Sequence, residues 1–76
     1  MRGGLKVTLG FIVLTNKRTY APIILRAYKI KGIEDGGSEG TLVTTSYEDE
    51  SHSAVFVNEG YRDVKDAIEE WRNENG

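Results

Sequence analysis

A narrow apolar stripe near the end of the chain constrains its fold more than any other feature. The members of this stripe recur at spacings of three, four and three residues: Tyr61, Val64, Ile68 and Trp71. At about 100° per residue, these four side chains lie within roughly 80° of one another on a helix. A helix with one apolar face must bury it against another element. The sequence therefore predicts a C-terminal amphipathic helix that starts near residues 58–60 and packs on a sheet.

The first strand is predicted from an alternating pattern. From Leu5 to Phe11, apolar residues alternate with polar or small ones, which indicates a half-buried strand that continues through Val13. We expect the helix to pack on Val7, Leu9 and Phe11, or on whichever face of the first strand turns inward.

Three further segments are predicted to be strands, and one glycine-rich segment is predicted to be the longest loop. The strands cover residues 23–31, 41–47 and 53–57, and the loop covers residues 32–40. The second strand follows Pro22, which cannot donate a hydrogen bond to a neighbouring strand. Its apolar residues change phase near residues 26–27, where a bulge would restore the alternation.

These elements predict one α+β domain over residues 1–76, in the order β-β-β-β-α. We expect a four-stranded antiparallel sheet, which a curl would bring towards a barrel, with one C-terminal amphipathic helix packed on one face. We expect residues 1–4 to be a loose N-terminal tail and residues 74–76 a frayed C-terminus. The chain has no cysteine, which excludes disulfides and cysteine-based metal sites.

Both faces of the first two strands carry apolar residues, although one helix covers only one face. Ile12 and Leu14, with part of residues 23–25, would then remain exposed on the other face. Exposed apolar patches mark interfaces. The pattern predicts a homodimer through this outer face, unless the sheet curls enough to bury both sets.

Charge is divided unevenly along the chain. Residues 1–31 carry seven basic side chains and no acid, whereas residues 32–76 carry twelve acids and three basic side chains, for a net charge of −2. The predicted helix has an acidic ridge formed by Glu59, Asp63, Asp66, Glu70 and Glu74, and an acidic turn contains Glu48, Asp49 and Glu50. A solvated face explains such a ridge simply. The functional interpretation is a regulator or inhibitor that docks these acids on a basic surface of another protein.

The basic half suggests an alternative, which is binding of single-stranded nucleic acid. Its candidate residues combine cations with an aromatic ring: Lys17, Arg18, Arg26, Tyr28, Lys29 and Lys31. Sheet-based binders stack bases on rings and place phosphates on cations. Two observations weaken this interpretation. The pI is about 5.3, and a regular strand would place Tyr28 on the face opposite Lys29 and Lys31.

Catalysis has little support in the sequence. The single histidine, His52, lies between Ser51 and Ser53, and neighbours on an extended chain point in opposite directions. We therefore expect no enzymatic activity, no cofactor and no metal site. No apolar run reaches the roughly 18 to 20 residues of a membrane span, so we expect no membrane partner and a cytoplasmic location.

Overall fold

A computed structural model of the chain describes residues 5–48 and 53–75. Its elements are β1 (Phe11–Thr15), β2 (Pro22–Arg26), β3 (Ile30–Asp35), β4 (Thr41–Thr45), β5 (Ala54–Val57) and α1 (Tyr61–Asn75). The α+β class, the antiparallel pairing and the C-terminal helix are confirmed. The single four-stranded sheet is wrong: β1 and β2 form a two-stranded sheet, and β3, β4 and β5 form a three-stranded one. In the described part of the chain, these sheets do not close into a barrel.

A short 3-10 turn divides the predicted second strand. The turn spans Ala27–Lys29, between the end of β2 and the start of β3. Ala27 and Ile30 are both buried, and a separation of three residues places them on the same side of a 3-10 turn. The phase change in the sequence is thus accommodated by a complete turn, and a register shift follows between Ile30 and Gly32. β3 then continues into the segment that was expected to be a loop.

The first strand buries the opposite face from the one that its alternation predicted. Ile12 and Leu14 are fully buried, whereas Phe11 is exposed and Leu9 retains 93% of its accessible surface. The cause is a turn at Leu9 and Gly10, whose φ angles are 55° and 83°. This turn breaks the alternation before β1 begins. Of the two alternatives, packing of the helix on Leu9 and Phe11 is therefore wrong, and the face of Ile12 and Leu14 turns inward.

The helix closes a core that both sheets share. Val64, Ala67 and Ile68 are buried in one cluster with the inward-facing strand residues, and Trp71 packs against the cluster while half-buried. The predicted amphipathic helix is confirmed, with Ala67 as an additional buried position. Because the stripe spans only one face of α1, the opposite side of the helix remains in water.

The two sheets meet where the end of β1 approaches β5. The Lys17 N–H donates to the Phe56 carbonyl at 2.9 Å, and the Asn58 N–H donates to the Thr15 carbonyl at 2.8 Å. Gly40 ends the β3–β4 loop close to this junction. A Cβ at Gly40, where φ is 92°, would lie 2.1 Å from the Val57 carbonyl oxygen, so only glycine fits there.

Candidate functional site

The outer face of the β1–β2 hairpin is apolar and exposed. Phe11 lies opposite Arg26, and Val13 lies opposite Ile24, in the antiparallel register. Successive strand residues point to opposite faces, so these four side chains share one face while their neighbours fill the core. Val13 keeps 51% and Ile24 keeps 65% of its accessible surface. Large apolar side chains therefore occupy positions that a solvated strand gives to polar residues.

Arg26 is held between two aromatic rings on this face. Its guanidinium carbon lies 5.0 Å from the centre of the Phe11 ring and 5.9 Å from that of Tyr28. Arg26 Nη1 also donates to the Tyr28 hydroxyl at 3.4 Å, and the Arg26 backbone N–H donates to the Tyr47 hydroxyl at 3.0 Å. We call the set Phe11, Val13, Ile24, Arg26 and Tyr28 the hairpin face. The Arg26 guanidinium is therefore already oriented in the unbound protein.

Two exposed apolar residues near the hairpin have a left-handed backbone. Leu9 has φ of 55° just before β1, and Tyr20 has φ of 63° between the two strands. Both side chains are exposed. Bulky residues rarely adopt this conformation, which favours glycine or asparagine. The hairpin is therefore flanked by large side chains at strained positions, and such strain is often found at functional sites.

The acidic ridge is only partly assembled. Asp63, Asp66, Glu70 and Glu74 are exposed on α1. Glu59 lies before the helix, and its carboxylate accepts the Thr15 N–H at 2.8 Å and the Thr15 hydroxyl at 2.9 Å. The Glu59 carbonyl also accepts the Thr41 hydroxyl at 2.7 Å. Glu59 thus connects the hairpin to the start of the helix.

The acidic turn can be placed only in part. Glu48 is exposed beyond β4, whereas Asp49 and Glu50 lie outside the described residues, as does His52.

On α1, Lys65 and Glu69 form an ion pair at 3.1 Å. The hydrogen bond and the negative charge of Glu69 raise the pKa of Lys65.

The basic candidates separate into different parts of the fold. Arg26 and Tyr28 meet on the hairpin face, because the backbone around residue 28 forms a 3-10 turn rather than a regular strand. Lys17 and Arg18 lie in the β1–β2 turn at the other end of the hairpin. The other two candidates lie beyond β2. The Lys29 ammonium is 5.6 Å from the centre of the Tyr47 ring, and Lys31 is exposed on β3.

A groove of about 640 Å³ lies between the β1–β2 turn and β5. It is lined by Asn16, Lys17, Arg18, Glu39, Ala54, Val55 and Phe56. Among these residues, Phe56 keeps 41% of its accessible surface. Sequence reasoning singled out the two cations, but no local pattern indicated that they would lie beside β5.

Sequence reasoning also missed Phe11, Val13 and Ile24 as an exposed set. It predicted an apolar outer face on the first two strands, but assigned to it Ile12 and Leu14, which are buried. The useful signal was the apolar character of both faces. That signal does not say which face is turned to water.

The described residues contain no group of three or more histidine, cysteine or acidic side chains able to hold a metal ion. Among the same residues, no helix is both long and apolar enough to cross a membrane.

Comparisons of the chain with protein-family models, curated proteins and solved structures gave no match.

Proposed function

We propose that this protein is a small non-enzymatic binding module that contacts another protein through the hairpin face. One observation carries the proposal: Phe11, Val13 and Ile24 stay exposed on a sheet whose opposite face is buried. Water disfavours such surface, and contiguous apolar patches mark interaction sites. The same face supports the predicted apolar contact surface on the first two strands, with a different set of residues.

The chemistry of the hairpin face defines the partner. The centres of protein interfaces are rich in aromatic residues and arginine and poor in other charges. The hairpin face has this composition. Among the described residues, the Arg26 guanidinium has ring and hydroxyl neighbours but no carboxylate. We therefore expect a partner that presents apolar side chains around one carboxylate, and the ordered arginine reduces the entropy lost on binding.

The acidic ridge is a second candidate surface for a regulator or inhibitor. Asp63, Asp66 and Glu70 are exposed on one helix, and none forms an ion pair within the described chain. Such a ridge attracts a basic surface over distances near the Debye length, roughly 8 to 10 Å. We propose that it accelerates the approach of a partner with a basic surface. Charge reversal at these three positions should therefore slow association and reduce its salt dependence.

Binding of single-stranded nucleic acid remains the alternative proposal. It is favoured by the two exposed rings beside Arg26, since bases stack on aromatic faces. Lys17 and Arg18 lie at the opposite end of the hairpin, and the aliphatic Val13 and Ile24 lie on the same face as the rings. Aliphatic side chains suit a protein partner better than a phosphate backbone.

The deciding experiment is affinity capture from a nuclease-treated lysate of the source organism, followed by titration with the purified captured protein. We expect Ile24→Ser to weaken that binding at least about tenfold while lowering the free energy of unfolding by only about 1 kcal/mol or less, so that the protein stays folded. Lys31→Ser, an exposed change on β3, is the matched control and should leave protein binding unchanged. Retained binding by Ile24→Ser contradicts the proposal. Capture that nuclease abolishes, together with weaker oligonucleotide binding by Lys31→Ser, supports the alternative.

A further inference from the structure

Three cross-strand pairs share the exposed side of the β1–β2 hairpin. In order along the strands they are Phe11 with Arg26, Val13 with Ile24, and Thr15 with Pro22. Successive pairs are two residues apart, so roughly 6.6 Å separates each from the next. The apolar middle pair is therefore equally far from the two ends of the hairpin.

Opposite charges lie at these two ends. At the first end, the Arg26 guanidinium carbon is 5.0 Å from the centre of the Phe11 ring, so this cation is held against a β1 side chain. At the other end, the Glu59 carboxylate accepts the N–H and the hydroxyl of Thr15. These bonds use two of about four acceptor positions of a carboxylate, so Glu59 can accept from another cation. Within residues 5–48 and 53–75, neither Arg26 nor Glu59 forms an ion pair.

This order of charges makes the exposed side of the hairpin complementary to itself. A two-fold axis across the strands at the middle pair reverses the order in a second copy, so Arg26 of each copy lies towards Glu59 of the other. Lys17 and Arg18 lie at least two residues beyond Thr15, roughly 6.6 Å farther along the strand. An axis along the strands would instead bring the two Arg26 side chains together. Charge favours the first axis, because facing like charges cost free energy.

We propose that a second copy of this chain covers the hairpin face in an antiparallel, two-fold symmetric dimer. This inference rests on the proposed function, which requires a partner that presents apolar side chains around one carboxylate. A second copy presents Val13 and Ile24 beside Glu59 and so has both features. Because the symmetry repeats each contact, one dimer contains two Arg26–Glu59 contacts around one apolar centre.

Two exposed apolar residues fit the same arrangement. Leu9 lies just before β1, at the Arg26 end of the hairpin, and Tyr20 lies in the β1–β2 turn, at the Glu59 end. Reversal of the order brings Leu9 of each copy towards Tyr20 of the other, which removes apolar surface from water. The interface still consists of few side chains and falls below about 1,200 Å². We therefore expect a dissociation constant between roughly 10 µM and 1 mM, so that dilute protein is monomeric.

The first test measures association of the whole protein. Sedimentation equilibrium from about 10 µM to 2 mM should show monomer and dimer. Ile24→Ser should weaken the dimer at least about tenfold, and Lys31→Ser, the matched control, should leave it unchanged. In a mixture of labelled and unlabelled protein, isotope-filtered NMR should show contacts between the Phe11 ring and the Thr15 methyl group. Within one copy these groups are roughly 13 Å apart, so the contact identifies the axis across the strands.

A charge exchange tests the symmetry. Arg26→Glu and Glu59→Lys should each weaken the dimer at least about tenfold, because each variant places like charges across the interface twice. An equimolar mixture of the two variants restores opposite charges and should recover association to within about threefold. Glu59→Gln keeps an acceptor for the Thr15 N–H and is used if Glu59→Lys does not fold. It should weaken the dimer about threefold and reduce its salt dependence, whereas Glu70→Gln should not.

The outcomes separate this inference from the proposed function. The inference is overturned if the protein stays monomeric at about 2 mM, if the dimer survives Ile24→Ser, or if the folded charge variants fail to associate when mixed. A monomer whose binding to a captured protein is weakened by Ile24→Ser overturns the inference and leaves the proposed function standing. If Ile24→Ser changes neither association nor capture, both are wrong.

Discussion

The β1–β2 hairpin and the helix α1 contribute to the same core but present opposite surfaces to water. On α1, Val64 and Ile68 are buried, while the exposed positions include Asp66 and Glu70. On the hairpin, the buried face is apolar, and the exposed face is apolar as well except for Arg26 and for Thr15 at its end. The helix thus exposes charged side chains opposite its buried stripe. The hairpin instead exposes apolar side chains, and this difference makes it the stronger candidate for a contact surface.

The largest expected effect distinguishes the two faces of the hairpin. Leu25→Ala removes a buried side chain and should lower the free energy of unfolding by about 2 to 5 kcal/mol. Ile24→Ala, one residue earlier on the exposed face, should lower it by less than about 1 kcal/mol. Urea denaturation of both variants measures the difference. Equal losses would show that the outer face of the hairpin is buried in solution, for instance by a second copy of the chain.

The next effect concerns Glu59, which connects the hairpin to the start of α1. Glu59→Ala leaves the Thr15 N–H without its carboxylate and should cost about 1 to 2 kcal/mol of unfolding free energy. Glu70→Ala changes an exposed acid of α1 and is the matched control, with an expected change within about 0.5 kcal/mol. Thermal or urea unfolding of the two variants provides the measurement. If both variants lose the same free energy of unfolding, the Glu59 carboxylate contributes no more to stability than an exposed acid of α1 does.

A smaller effect, of opposite sign, tests the strained positions beside the hairpin. Asparagine accepts a left-handed backbone better than leucine does, so Leu9→Asn should stabilise the protein by about 0.5 kcal/mol. Val13→Asn, within β1, should destabilise it, because asparagine is disfavoured in strands. The unfolding midpoints of the two variants should therefore move in opposite directions. A loss of stability in Leu9→Asn would mean that the Leu9 side chain makes a stabilising contact.

The smallest effect belongs to the helix surface. The pKa of Lys65 is raised above 10.5 by its hydrogen bond to Glu69, and secondly by the negative charge of Glu69. A raised pKa in the folded state means that the ion pair stabilises the fold below pH 10.5 and stops doing so as the pH rises through the raised value. Glu69→Gln should return the Lys65 pKa towards its ordinary value, and Glu70→Gln should not. An NMR titration of the Lys65 side chain measures both.

The helix was predictable because its evidence is local. A spacing of three and four residues defines one helical face, and Val64 and Ile68 are buried as that spacing requires. β4 and β5 also fall within the predicted segments. The hairpin was harder, because its strands are apolar on both sides. The alternation beginning at Leu5 crosses the turn at Leu9 and Gly10, so its phase does not carry over into β1.

The candidate site was predicted less well, because its parts are distant in the sequence. The carboxylate of Glu59 binds Thr15, which is 44 residues away, and no local pattern distinguishes it from the exposed acids of the ridge. The groove likewise depends on the β1–β2 turn lying against β5. Arg26 and Tyr28 were identified as candidates, but Arg26 meets Phe11 through the β1–β2 register, and Tyr28 meets Arg26 because of the 3-10 turn after β2.

Local sequence was sufficient for the α+β class, the antiparallel strands and the amphipathic helix, because backbone propensity and side-chain periodicity act over a few residues. Long-range packing was needed to choose the inward face of the hairpin and to divide the strands between two sheets. The physical reason is that an apolar side chain gains the same free energy on burial from either face of a strand. When both faces are apolar, only the shape of the surrounding core selects which one is buried. In this protein, that selection leaves Phe11, Val13 and Ile24 facing water.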